Sequence, residues 1–583
     1  MSAPTAPEAL PTTTAGDHDR SSGISRLWRR ELPEYPATRT RYWLLALVVV
    51  SSVVMYYQQY VAGAVSTTIL ASYQMSFRFY LTVVVVSSVA GAVSSLIASV
   101  ADRVGRSNMV VVGLLVVGLV TLFGIPNAHS KMTYALAVAT VGFFEGMVLV
   151  ATPALVRDFS PQQRRGAAMG FWTLGPVLGS LTVSLVASQT LDTHPAWQFQ
   201  FKVAGTVGLV VFVLALLFLR ELNPGLRDQL MTSLRERVLA EVRARGMRVE
   251  DALKRPFRQM IGWDTVIPSL GVGLFLLIYL SAVGFFVIYF VSVFGFSLSR
   301  ANGLGNWFWS ADAVAVVAVG AISDRFGVRK PFMVAGGVVA VVMGLVFAAL
   351  ATRPQTTYAT FVVVIMVMSA ARGAAYAPWM AAYTETLERR NPALVATGLA
   401  IWGWILRLVA ATAFLVVPFV VPSTTPVADY GTHAAALQAR YAPEIATLKV
   451  LSPRTLAQLQ ADPTNPRAQR AAIAEIQAAR KVPLATAVTD LVAASRIPKA
   501  DRDFLAAHGR EVLAARAAAP GEWQRWWLIC VGGEVLFLPT IFLLRGRWRR
   551  SSAHRDRDEH EQRVTEEFEE LSMSDQFIEG APV

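Results

Sequence analysis

Ala101-Asp102-Arg103-Val104-Gly105-Arg106 lies between two long apolar segments, and a second version, Ser323-Asp324-Arg325-Phe326-Gly327-Val328-Arg329-Lys330, lies between two more. The two aspartates are 222 residues apart (324 − 102). Each time an apolar run ends, a charged turn with a glycine follows, and another apolar run begins. One such turn used twice at this separation reads the chain as two copies of one unit.

Composition sets the class. The 583 residues are 54% hydrophobic and 16% charged, with a mean hydropathy of +0.45. A soluble globule of this size needs far more charge to cover its surface. The formal net charge of +13 could suit nucleic acid. The basic residues instead gather at the ends of apolar segments, so no nucleic-acid partner is expected. Cys530 is the single cysteine, which leaves no intrachain disulfide and no cysteine-based metal site. Twelve apolar segments of ~20 residues match the thickness of a bilayer. Arg103, Arg106, Arg157, Arg164, Arg165, Arg325, Arg329, Lys330, Arg389 and Arg390 fall in loops on one side. That side, with both termini, is expected in the cytoplasm of a multi-pass plasma-membrane protein.

The paired turns resemble the signature Gly-x-x-x-Asp-Arg-x-Gly-Arg-Arg/Lys of the major facilitator superfamily of secondary transporters. The first copy has Ala98 for the leading glycine and Ser107 for a second basic residue. The second keeps Gly320 and inserts Val328 before Arg329-Lys330. The resemblance implies an all-α membrane protein of twelve helices in two six-helix halves. Residues 1–41 are then expected as a disordered basic tail and 42–220 as the first half. Residues 221–263 form a connecting loop with an amphipathic helix. Residues 264–421 hold helices 7–11, and 422–524 a helical segment outside the membrane. Residues 525–546 form helix 12, followed by a disordered tail, 547–583. The resemblance also gives the turns a gating role, carried by Asp102, Arg103, Gly105, Arg106, Gly320, Asp324, Arg325 and Gly327. In it, Asp102 latches the cytoplasmic side shut.

Five charges fall near the middle of apolar segments: Glu145, Asp312, Arg372, Arg407 and Glu534. A charge at that depth costs about 3 kcal/mol on insertion scales, so it is buried in the bundle, paired, or wetted by a cavity. Glu145-Gly146 and Arg372-Gly373 head similar stretches, with Asp158 and Glu385 each 13 residues further on (158 − 145; 385 − 372). The superfamily resemblance places Glu145 and Arg372 opposite each other across a central cavity, with Asp312 and Arg407 as a second pair on adjoining helices. Glu145, Asp312 and Glu534 are the expected proton carriers. Arg372 and Arg407, with Gln58, Gln59, Tyr279 and Tyr289, are the expected substrate contacts. The structural alternative is a set of static salt bridges that pin helices together. Glu534, on a support helix in the superfamily, has a further alternative as a bond to a neighbouring backbone or hydroxyl.

Two further cues oppose each other. Gly170, Gly175-Pro176 and Gly179 resemble the superfamily's antiporter motif, with Ser180 in place of its final glycine, and small residues at that spacing also let helices approach. Gly142 stands where drug-efflux members carry a proton-linked arginine. No P-loop lysine signature, nucleophile elbow or metal cluster occurs, so an enzyme is not expected, nor any cofactor beyond a proton gradient. The expected function is proton-coupled symport of a small organic anion by a monomer. Proton-driven drug efflux is the alternative, and a membrane sensor that does not transport is the remaining one.

Overall fold

The computed structural model describes residues 30–96, 105–159, 172, 174–223, 255–391, 394–544 and 548. Among them, eleven helices are long and apolar enough to cross a membrane. Lipid offers no partner to a backbone N–H or C=O, so runs of this length close their hydrogen bonds internally as helices.

The first half begins with β1 (Glu31–Leu32) and α1 (Thr38–Ala64), which continues after Val65 as α2 (Ser66–Tyr73). Then come α3 (Phe77–Leu96), α4 (Arg106–Leu119), α5 (Lys131–Phe159), α6 (Gly175–Thr190) and α7 (Trp197–Phe218). With its sixteen residues, α6 is the described part of the expected fifth span. β2 (Glu221–Leu222) then pairs in parallel with β1. The second half contains the short α8 (Pro256–Met260), then α9 (Trp263–Phe275) and α10 (Leu277–Phe294), two pieces of one span. It continues with α11 (Leu298–Phe326), α12 (Lys330–Leu350), α13 (Tyr358–Arg390) and α14 (Val395–Val420). Five shorter helices follow: α15 (Thr424–Arg440), α16 (Ala442–Lys449), α17 (Pro453–Ala461), α18 (Pro466–Arg480) and α19 (Leu484–Ser495). The last, α20 (Lys499–Thr540), returns through the bundle.

The halves repeat each other's packing. In the first, α1 packs on α6, α3 on α5, and α4 on α7. In the second, α9 packs on α14, α11 on α13, and α12 on α20. Small residues set several of these approaches. A Cβ at Gly91 of α3 would stand 2.9 Å from the Gly142 carbonyl oxygen of α5, and one at Gly336 of α12 only 2.7 Å from that of Ala371 in α13.

Two expected boundaries differ from the observed ones. Residues 30–41 belong to the ordered structure: β1 lies on β2, and the Arg30 Nη1 donates to the Ala215 carbonyl oxygen at 3.0 Å. A polar, proline-bearing stretch hides this pairing, because its partner lies nearly two hundred residues away. Helix 12 starts near residue 499 rather than 525. Its first half is alanine-rich and charged, which favours helix while concealing it from a hydropathy reading. The connecting segment 224–254 and the tail 551–583 lie outside the described residues.

The two halves meet at the end opposite the motif turns. Ser299 Oγ of α11 donates to the Ser188 carbonyl oxygen of α6 at 2.8 Å. Asn306 Nδ2 donates to Ser188 Oγ at 2.8 Å, and Asn302 Nδ2 to the Ala64 carbonyl oxygen at 3.0 Å. A Cβ at Gly63 would meet the Val283 carbonyl oxygen at 2.7 Å. One continuous apolar core crosses between the halves here. Towards the motif end, a separate core of Met260, Val272, Phe275, Met333, Trp379 and their neighbours is built from the second half alone. The described structure is closed at the end opposite the motifs.

Candidate functional site

The five mid-span charges sort into two groups, and not in the expected pairs. Arg372 of α13 forms an ion pair with Glu534 of α20, and both side chains are almost wholly buried. Its Nη2 also donates to the Phe275 carbonyl oxygen at 2.6 Å, and its guanidinium lies 4.7 Å over the Phe275 ring. The cause is the interruption of span 7 at Leu276, between α9 and α10, which exposes that carbonyl at mid-span. A side chain with donors on several faces can satisfy the acid and the broken helix together. Arg372 therefore ties three helices of its own half and does not face Glu145. Glu534 has a full ionic partner rather than a neighbouring backbone or hydroxyl.

Arg407 is the other base, on α14. It is exposed, with no hydrogen bond or ion pair among the described residues, and its charge acts on Glu145 and Tyr56 of the opposite half. Glu145 is buried at 4% exposure and likewise has no hydrogen bond or ion pair among the described residues. Asp312 lies in the field of Arg372 rather than that of Arg407. Its backbone is in close contact with α13, since a Cβ at Gly373 would stand 2.9 Å from its carbonyl oxygen. The expected partnerships are exchanged: Glu145 answers Arg407, and Asp312 shares Arg372 with Glu534.

Tyrosines connect the two acids. Tyr56 and Tyr60 of α1 have ring centroids 5.5 Å apart. Tyr279 of α10 packs edge-on against Trp309 at 5.1 Å. Glu145 acts electrostatically on Tyr56 and Tyr60, and Asp312 on Tyr279 and Tyr376. Tyr60 and Tyr376 lie four residues beyond Tyr56 and Arg372, and so each shares a helix face with that residue.

Two expected contacts point elsewhere. Gln58 is 2% exposed, and its Nε2 reaches the Ala204 carbonyl oxygen of α7 at 3.4 Å, inside the first half. One residue of rotation on a helix sends Gln58 to one side and leaves Gln59 partly exposed. Tyr289 is fully buried among Phe290, Phe347, Trp523 and Trp527, a packing cluster of the second half.

The glycine cues resolve into packing. Gly142 lies against Ser87 of α3 so tightly that any Cβ would collide, which leaves no room there for an arginine. Gly175 and Gly179 of α6 admit the Tyr56 side chain of α1.

At the motif end the two halves use one device. Arg106 Nη1 binds Asp158 Oδ2 at the end of α5, 2.7 Å away, with both side chains buried. Its backbone N–H and the Ser107 hydroxyl donate to Glu221 of β2 at 2.9 and 3.1 Å. In the second half, Arg329 binds Glu385 at the corresponding end of α13, at 3.2 Å, and also Asp324. The acids 13 residues beyond each mid-span charge are the partners of the motif arginines. Gly105 at φ +95° and Gly327 at φ +66° hold backbone conformations that favour glycine. Gly320 faces Ala377 at ordinary contact distance, and Arg325 is exposed. Asp102 and Arg103 lie outside the described residues.

A repeated helical bundle with a polar centre between its halves defines a membrane carrier. The sequence profile described as "Major Facilitator Superfamily" matches residues 47–413, and the chain belongs to that family of transporters. It is similar over 144 residues, at 28% identity, to "Putative glycerol-3-phosphate transporter 1" of Arabidopsis thaliana. That alignment covers 24% of this chain and 27% of the plant protein. Over 70 residues it is 39% identical to "Efflux pump radE" of Floropilus chiversii, covering 12% of this chain and 13% of that one. The chain thus spans about a quarter or less of the curated relatives it matches. Among solved structures, it resembles a bacterial homolog of the human lysosomal transporter Spinster. The TM-score is 0.53 at 16% identity, over 87% of this chain and 98% of that one. It also resembles the proton:xylose symporter XylE, with a TM-score of 0.50 at 13% identity, over 67% and 91% of the two chains.

Proposed function

We propose that this protein is a proton-coupled symporter of a small organic anion, acting as a monomer in the plasma membrane with its motif end and termini in the cytoplasm. The observation that carries the reading is Arg407. It is a mid-span cation with no ion pair among the described residues, and its charge acts on the carboxyl of Glu145 in the opposite half. In the empty carrier, Glu145 balances Arg407. An anion that takes Arg407 leaves Glu145 without a counter-charge, and a proton on Glu145 restores balance. Losing the proton on the other side drives the anion off Arg407. Asp312 is the second proton carrier, read through Arg372 and Glu534. Tyr56, Tyr60, Tyr279, Tyr376 and Gln59 supply hydroxyl and amide contacts to the substrate. The gradient is the energy source, with no bound cofactor. The motif residues, Asp102 among them, gate the cytoplasmic side. The anionic cargo in the relatives' printed name, glycerol 3-phosphate, supports the same reading.

A second reading, proton-driven efflux of organic cations, is favoured by Glu145 and Asp312, which have no hydrogen bond or ion pair among the described residues and lie in the electrostatic reach of four tyrosine rings. Proteoliposomes with an internal pH dye separate the readings. Acidification on adding one of a panel of organic acids, without an imposed gradient, is the expected result. Silence with acids, and proton release with lipophilic cations, would establish antiport instead.

A further inference from the structure

The segment between the eleventh and twelfth spans is fastened to both halves at the closed end. α15 follows α14 directly and belongs to the second half. The Ser423 backbone N–H donates to the Glu522 carboxylate of α20 at 2.9 Å. Arg516 Nη2 of α20 donates to the Gly431 carbonyl oxygen at 3.0 Å. The face bearing Ser423, Thr424, Ala434 and Leu437 is buried. The helix therefore moves with α20.

Its other side rests on the first half, packed against α2 and α3. There, Asp429 Oδ1 accepts the backbone N–H of Phe77, the first residue of α3, at 2.8 Å. The first amides of a helix have no partner inside it, so an acid from one half supplies a helix cap to the other. Phe77 is fully buried, and its ring lies 6.3 Å from Phe285 of the second half. Opening this end separates α2 and α3 from the second half. The Asp429 cap must then break, exposing the Phe77 amide and ring.

We propose that α15 is a strap that holds this end of the carrier shut, with Asp429 as its catch and Glu522 and Arg516 as its anchors. The strap sets the proportion of closed to open carrier and takes no part in binding substrate. It depends on alternating access, and neither on the identity of the cargo nor on proton coupling.

The test measures conformation without substrate. Spin labels at Ala71→Cys of α2 and Thr352→Cys beyond α12, in a Cys530→Ala background, report the separation at this end by pulsed dipolar spectroscopy on the full-length protein in nanodiscs. Asp429→Ala is expected to raise the long-distance population about fivefold, the ratio that losing one cap implies. Asp429→Asn keeps an acceptor of equal reach and should resemble wild type. Arg516→Ala, which frees the anchored side, should also lengthen the distance. Each variant is checked for an unchanged melting profile of the remaining bundle. Distances in Asp429→Ala and Arg516→Ala that match wild type would overturn the strap, whatever the protein transports. So would an Asp429→Asn distribution as open as that of alanine.

Discussion

Arg372 and Arg407 are chemically identical and both fall near the middle of an apolar segment, yet their surroundings differ: one is buried and paired, the other exposed. Arg372 is consumed by Glu534 and a helix carbonyl. Removing it leaves a buried acid without its partner, a change that costs about 3–5 kcal/mol. Arg372→Ala should therefore lower the melting temperature and yield in detergent. Arg372→Met with Glu534→Leu should recover much of that loss, because both charges disappear together. Arg407→Ala leaves packing almost untouched and should abolish uptake at wild-type stability, as measured by transport assay and thermal melting side by side. Sequence alone located all five mid-span charges, since charge in an apolar run needs no fold to be seen. It paired them wrongly. Pairing depends on where span 7 breaks and on how far a guanidinium can reach, and neither leaves a mark at the charged positions themselves. Gln58 and Tyr289 failed for a related reason: rotation about the helix axis decides which face meets the cavity.

At the scale of elements, length and hydropathy were enough for the membrane helices, and glycine spacing was enough for one close approach, that of α6 to α1 at Gly175 and Gly179. Gly142→Arg, the residue of an efflux motif, collides with Ser87 on α3. It should cost about 1–3 kcal/mol of stability without creating drug efflux, as drug-resistance and melting measurements would show. The helices between α14 and α20 were legible only as a helical segment, because their short amphipathic faces bury against each other rather than in lipid. One of their caps should respond to pH. Glu475 of α18 accepts the Ser452 N–H at 2.6 Å and the Ser452 and Thr455 hydroxyls at 2.8 and 2.7 Å, holding down the start of α17. The Ser452 amide foremost, with the Thr455 and Ser452 hydroxyls, holds the Glu475 carboxyl below its ordinary value. A lowered folded-state value means the stabilisation is complete above the ordinary glutamate range and fades as pH falls through the lowered one. Amide hydrogen exchange across 453–461, corrected for its intrinsic pH dependence, should quicken in that acid window. Unchanged protection there would count against the cap.

For the whole molecule, the two-copy reading of the sequence accounts for matching helix contacts and matching motif ion pairs. It does not account for function, because the copies have diverged where the charges lie: Glu145 in one half corresponds to Arg372 in the other. Arg106–Asp158 and Arg329–Glu385 are ion pairs that recur at corresponding places in the two halves. The polar centre is where the copies differ, and the transport reading rests on that difference. The most direct measurement compares Glu145→Gln with wild type in proteoliposomes, for the substrate identified by the acid panel. Net accumulation driven by an imposed proton gradient is scored beside exchange of labelled for unlabelled substrate at equal pH. Glu145→Gln should lose gradient-driven accumulation while keeping exchange, because Arg407 still binds the anion and only the titrating group is gone. Accumulation against a gradient at the wild-type level in Glu145→Gln would contradict the coupling of Glu145 to Arg407.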